Sequence, residues 1–270
     1  MIRAVLAALP MYDYPELAGA HDALWRALRD GLLAAGVQAP TELTRGLGHF
    51  DTWRDPGLLL GQACEYPLAK RFARTVRKVA TPLYTAAGCT GASYRSAIVV
   101  RADDPAAGLA DLRGRRCVVN EIDSNSGMNL LRAAVAPLCE RGRFFASVAY
   151  SGSHRQSAAL VAAGAADVAA LDCVSYAHLQ RLDPETTAAL RVLGWTPSSP
   201  SLPLITAAAT DDDTLHKLRT GLAALAADPA LAAVRAELLL GGFDLDPAHD
   251  YAAVLRLEQQ AAEAGYSTLQ

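Results

Sequence analysis

Apolar positions along this chain follow two rhythms, short continuous runs and helical stripes. Ile2 to Leu9 reads as a first strand. From Pro15 to Ala35, Leu17, His21, Leu24, Trp25, Leu28 and Leu32 fall at helical spacing, with Pro15 suited to the first helical position and Gly36 to the stop. Leu58 to Leu60 predicts a buried strand running into the loop Gln62-Ala63-Cys64-Glu65-Tyr66-Pro67, and further strands are predicted near Val76 to Ala80 and from Tyr94 to Arg101. From Arg116 the pattern becomes regular. Strand Cys117 to Asn120 precedes a helix from about Ser126 to Glu140; strand Ala146 to Tyr150 precedes a helix to about Ala163; strand Val168 to Leu171 precedes a helix opened by Asp172. Such alternation predicts an α/β protein with a parallel sheet covered on both faces. Leu190 to Leu193 and Leu204 to Ala208 read as later strands around a Pro/Ser-rich return, Thr196 to Pro203. Asp211 to Ala227 and Pro229 to Leu240 read as closing helices.

A chain of 270 residues allows one large α/β domain or two lobes of roughly 130 residues each. Hydrophobic residues make up 51% and charged ones 20%, which places the chain among globular proteins. Its 25 basic and 28 acidic residues leave a net charge of -3, without the basic field that nucleic acid or anionic lipid would need. Neither nucleic acid binding nor membrane insertion is expected. Cys64, Cys89, Cys117, Cys139 and Cys173 are widely spread and form no Cys-x-x-Cys pair, so neither a disulfide framework nor a metal site is expected. Walker A, Gly-x-Gly-x-x-Gly, His-Glu-x-x-His and Gly-x-Ser-x-Gly patterns are missing, and no cofactor is expected. The short apolar run after Met1 does not make a signal h-region. As given, the chain therefore reads as cytoplasmic unless a leader was removed.

Two loops could carry chemistry. Asp123-Ser124-Asn125-Ser126-Gly127 and Ser151-Gly152-Ser153-His154 each lie between a strand and a helix, where free backbone N–H groups and hydroxyls converge on an anion. The competing reading of either loop alone is helix capping, for which Ser and Asp are the preferred residues. His154 can cap, pack or donate to an anion. Asp172 can cap its helix or meet a ligand's ammonium or hydroxyl group, while Tyr12, Tyr66 and Tyr94 lie at strand ends where a phenol can wall a pocket.

Gly88-Cys89-Thr90-Gly91 with Tyr94-Arg95-Ser96, then Ser124-Asn125-Ser126-Gly127, then Gly152-Ser153-His154 together resemble the phosphate/phosphite/phosphonate-binding family of ABC-importer solute receptors. The resemblance spans roughly residues 4 to 210. It implies the type II periplasmic-binding-protein fold, two Rossmann-like lobes joined by two crossing strands near Ser96 to Arg101 and Leu202 to Ala208. Lobe one would comprise 1–97 and 204–270, lobe two 98–203, with the ligand cleft between them. Carried over, Tyr94, Ser124, Ser126 and His154 become oxyanion contacts, with Asn125 where the family has threonine. The resemblance further implies a binding protein for a small phosphate- or phosphonate-like oxyanion, with an ABC permease as partner and a periplasmic location if a leader was removed. A cytoplasmic enzyme with His154 as acid/base group, or a ligand sensor, are the alternatives on the same fold.

Overall fold

The computed structural model describes residues 5–246, 248, 250 and 252–270. Its strands in chain order are β1 (Leu6–Ala8), β2 (Leu58–Gln62), β3 (Val76–Tyr84), β4 (Ser93–Tyr94), β5 (Ser96–Arg101), β6 (Arg116–Val119), β7 (Ser147–Tyr150), β8 (Val168–Asp172), β9 (Leu190–Trp195), β10 (Ser199–Pro200), β11 (Leu204–Ala207) and β12 (Leu240–Asp244). The chain divides into two units, Met1–Thr85 with Ser201–Asp250 and Ala86–Pro200 with Tyr251–Gln270.

In the first unit the sheet order is β1-β2-β11-β3-β12. β1 and β2 are parallel, while β11 and β12 run antiparallel to their neighbours. The helix Ala18–Ala34 packs on the helix Asp212–Ala227, burying Leu24, Trp25, Leu28 and Leu32 on one and Leu218, Leu222 and Leu225 on the other. Both faces are the apolar stripes visible in the sequence. Pro15 opens a short 3₁₀ turn, Pro15–Leu17, ahead of the α-helix. Gly36 stops that helix at φ 79°, with Val37 N–H reaching back to Leu32 O at 2.9 Å, a Schellman-type end.

The predicted helix Pro229 to Leu240 is corrected by the structure. A 3₁₀ turn Pro229–Leu231 leads into a helix only from Ala232 to Glu237, Leu239 takes a φ of 54°, and Leu240 begins β12. Gly241 and Gly242 disfavour helix, and pairing with β3 supplies the backbone bonds that the helix would have made.

The second unit holds the sheet β7-β6-β8-β5-β9. β6 is parallel to β7 and β8, but β5 is antiparallel to β8 and β9, so the sheet is mixed where alternation alone predicts a parallel one. The connection from β8 through the helices Cys173–Leu182 and Pro184–Ala188 to β9 passes over one strand position. Into that position β5 inserts from outside the repeating pattern. Helix His154–Ala162 packs against β5, β6 and β8, and helix Ala252–Glu263 packs on Leu130–Val135.

Candidate ligand-binding site

β6 and β7 lie side by side in parallel register, Val119 opposite Tyr150, so the loops that follow them leave the sheet at the same edge. They are bonded to each other there. Ser151 N–H donates to Val119 O at 2.9 Å and Gly152 N–H to Asn120 O at 2.8 Å, with Gly152 at a φ of 86° that glycine adopts without a Cβ penalty. This junction turns the first residue of the helix His154–Ala162 toward the Ser124–Gly127 turn. His154 Nε2 lies 2.8 Å from Ser126 Oγ, and Ser126 Oγ lies 3.4 Å from Ser124 Oγ.

Ser124 caps the helix after the β6 loop, its Oγ accepting from Gly127 N–H at 3.0 Å. The helix opens as a π turn, Asn125–Asn129, before becoming α-helical at Leu130–Val135. Such π turns recur at functional sites because they re-aim side chains within a helix. Asn125 is fully buried and its amide is engaged by the protein. It donates to Tyr94 Oη at 3.0 Å and Ser199 Oγ at 2.8 Å, and its Oδ1 accepts from Asn129 Nδ2 at 2.9 Å. Ser96 Oγ donates to Ser126 O at 3.0 Å, fixing the turn from beneath. Arg132 donates to Asn129 Oδ1 at 2.7 Å and to Ser267 O at 2.9 Å, tying the turn to the C-terminal segment of the same unit.

Two other residues from the sequence reading serve as caps. Ser153 Oγ accepts from Gln156 N–H at 3.1 Å, and buried Asp172 accepts from Val174 and Ser175 N–H, each at 2.9 Å. Tyr12 and Tyr66 belong to the first unit. The Tyr12 ring meets Tyr84 edge-on at 5.1 Å, and Tyr66 Oη accepts from Lys70 Nζ at 3.2 Å. The structure thus brings together Tyr94, Ser124, Asn125, Ser126 and His154, and it adds Ser96, Asn129, Arg132 and Ser199. Two of these left a signal in the sequence: Ser96 lies in the Tyr94-Arg95-Ser96 segment, and Asn129 stands four residues from Asn125 and hence on its face.

The cluster formed by Ser124, Ser126 and His154 is uncharged at neutral pH. Enclosure pushes the His154 imidazole down to about 4, and its buried Nδ1 meets no protein partner. Two hydroxyls and a neutral imidazole within bonding distance form a group of neutral donors, the kind that wraps an oxyanion without a fixed counter-charge. Ser126 with His154 also has the spacing of a nucleophile and base. An imidazole with so low a pKa and no orienting partner at Nδ1 is, however, a poor base. Among the described residues no group of His, Cys, Asp or Glu is arranged to hold a metal ion.

The description "ABC transporter, phosphonate, periplasmic substrate-binding protein" matches residues 64–251. No curated protein matches the chain by sequence. Among solved structures, PhnD1 of Prochlorococcus marinus in complex with methylphosphonate superposes with a TM-score of 0.77 at 14% identity, over 97% of this chain and 98% of its own. A binding protein component of an ABC phosphonate transporter from Pseudomonas aeruginosa gives 0.72 at 18%, over 97% and 87%. XAC2383 from Xanthomonas citri, bound to ATP, gives 0.70 at 17%, over 97% and 98%. At these identities the likeness is one of fold, that of the type II periplasmic binding proteins.

Proposed function

The chain belongs to the family of periplasmic substrate-binding proteins of phosphonate ABC transporters, and on that premise we propose that it captures a small phosphate- or phosphonate-like oxyanion for an importer. One observation carries the reading: Ser124 Oγ, Ser126 Oγ and His154 Nε2 stand in a continuous row at 3.4 and 2.8 Å at the ends of two adjacent parallel strands. In this reading the two hydroxyls and the imidazole donate to the phosphoryl oxygens. Asn125, its amide bonded to Tyr94, Ser199 and Asn129, holds the turn in shape. Binding works by replacing the Ser126–His154 bond with bonds to the ligand, and neutral donors let the anion leave again for a permease. Delivery to a permease places the working protein outside the cytoplasmic membrane. Among the described residues no helix is long and apolar enough to span that membrane.

The test is calorimetric titration with methylphosphonate, phosphate, phosphite and sulfate. Ser126→Ala should weaken binding of the preferred oxyanion by about 1–3 kcal/mol, the worth of a hydrogen bond to a charged group. Unchanged affinity in this variant would remove Ser126 from the site. If none of the four anions binds, the oxyanion reading fails as a whole.

A further inference from the structure

The fold brings together two cysteines separated by 84 positions in the sequence. Cys89 Sγ and Cys173 Sγ lie 3.4 Å apart, both thiols being free and both in the second unit. Each is held by its own backbone. Cys89 N–H donates to Ala86 O at 3.0 Å, after a Gly88 whose φ of 99° admits no ordinary side chain. The space at Gly88 is also filled, since a Cβ there would stand 2.6 Å from the Trp195 ring and 3.0 Å from Cys173 Cβ. Cys173 opens its helix, and its N–H donates to Arg95 O at 3.3 Å, next to the Ser96–Asp172 register pair of β5 and β8. The sulfurs are thus in contact through fixed backbone rather than through long, mobile side chains, which is the geometric condition for a bridge.

We propose that Cys89 and Cys173 are a redox modification site, a dithiol that closes to a disulfide by exchange with an external disulfide. Cys89 is half-buried and Cys173 fully buried, so Cys89 meets the reagent first. The hydrogen bond to Cys89, burial and the Asp172 carboxylate all keep the Cys173 thiol protonated until then. The Cys89 thiolate attacks one sulfur of a disulfide RSSR; a Cys89–S–R bond forms and RS⁻ leaves, taking up the proton that Cys89 lost. Cys173 then gives up its proton as its sulfur attacks Cys89 Sγ, the Cys89–S–R bond breaks, and the second RS⁻ leaves as RSH. The protein loses two electrons and two protons, and RSSR gains them as two RSH. The bridge would close a long loop that contains Ser124, Ser126 and His154, constraining the unfolded chain.

The experiment exposes the fully reduced protein to oxidised glutathione and then quenches with acid. The expected product has lost about 2 Da, the mass of two hydrogens. Its titratable thiols in denaturant fall from the five of the sequence to three, its digest contains a Cys89–Cys173 linked peptide, and its melting midpoint rises by roughly 5 °C or more. Cys89→Ser should abolish all of these changes, while Cys139→Ser should keep the mass loss, the linked peptide and the rise in midpoint, its thiols falling from four to two. A glutathione adduct that persists on Cys89 without resolving, a different cysteine pair, or five remaining thiols would each overturn the proposal, and the wild-type result is decisive even if a variant folds poorly.

Discussion

A Cβ at Gly127 would stand 1.9 Å from Asn120 Oδ1, so a methyl group there must push the Asn120 side chain out of the junction that aligns the two loops. Gly127→Ala should therefore destabilise the second unit by about 1–3 kcal/mol and weaken oxyanion binding, readable by urea unfolding and titration on the same sample. At His154 the effect is one of protonation. Its pKa falls from 6.5 to about 4 on folding, so the unfolded chain binds the proton first as pH drops. The stability tied to the neutral ring is complete above pH 6.5 and is lost as pH falls toward 4. His154→Gln should flatten that part of the stability profile, as followed by melting at several pH values; an unaltered profile would mean that His154 titrates normally. The two loops were legible as strand-to-helix junctions because Ser, Asp and Gly mark helix starts, a signal that capping and anion binding share. Ser199 was not, since its bond to Asn125 depends on a two-residue pairing of β4 with β10, too short to give a period.

At the scale of elements, helix starts were the most readable feature. Ser124, Ser153, Asp172 and Asp211 all cap the helices that follow them through their own side-chain oxygens, as does Asp183, whose short helix was not predicted. Asp172→Ala would strip a buried helix start of two bonds and should cost about 1–2 kcal/mol in denaturant unfolding. The π turn at Asn125 was not readable, because its extra residue serves bonds to Tyr94 and Ser199 that local spacing does not encode. The antiparallel entry of β5 was hidden for a similar reason. Its apolar run, Ser96 to Arg101, looks the same whichever way its neighbours run, and direction is decided only by the connections.

For the molecule as a whole, 51% hydrophobic content and balanced charge were enough to indicate a large α/β core, but not which segments share it. The residues after Leu240 carried no predicted element and were read only as part of lobe one, yet from Ala252 on they pack on the serine turn of the second unit. Val254 O accepts from Asn129, Ser267 O from Arg132, and the Gln270 backbone oxygen from both Phe144 and Phe145 N–H. Arg132→Met, which keeps bulk but loses these donors, should lower hydrogen-exchange protection across 125–135 before it lowers global stability. The second unit is therefore closed by a stretch that lies beyond every residue of the first. During synthesis the first unit has all of its strands and helices available while the second still lacks its final helix, so the two mature in sequence rather than together. Until the ribosome has passed that stretch, the serine turn has no roof.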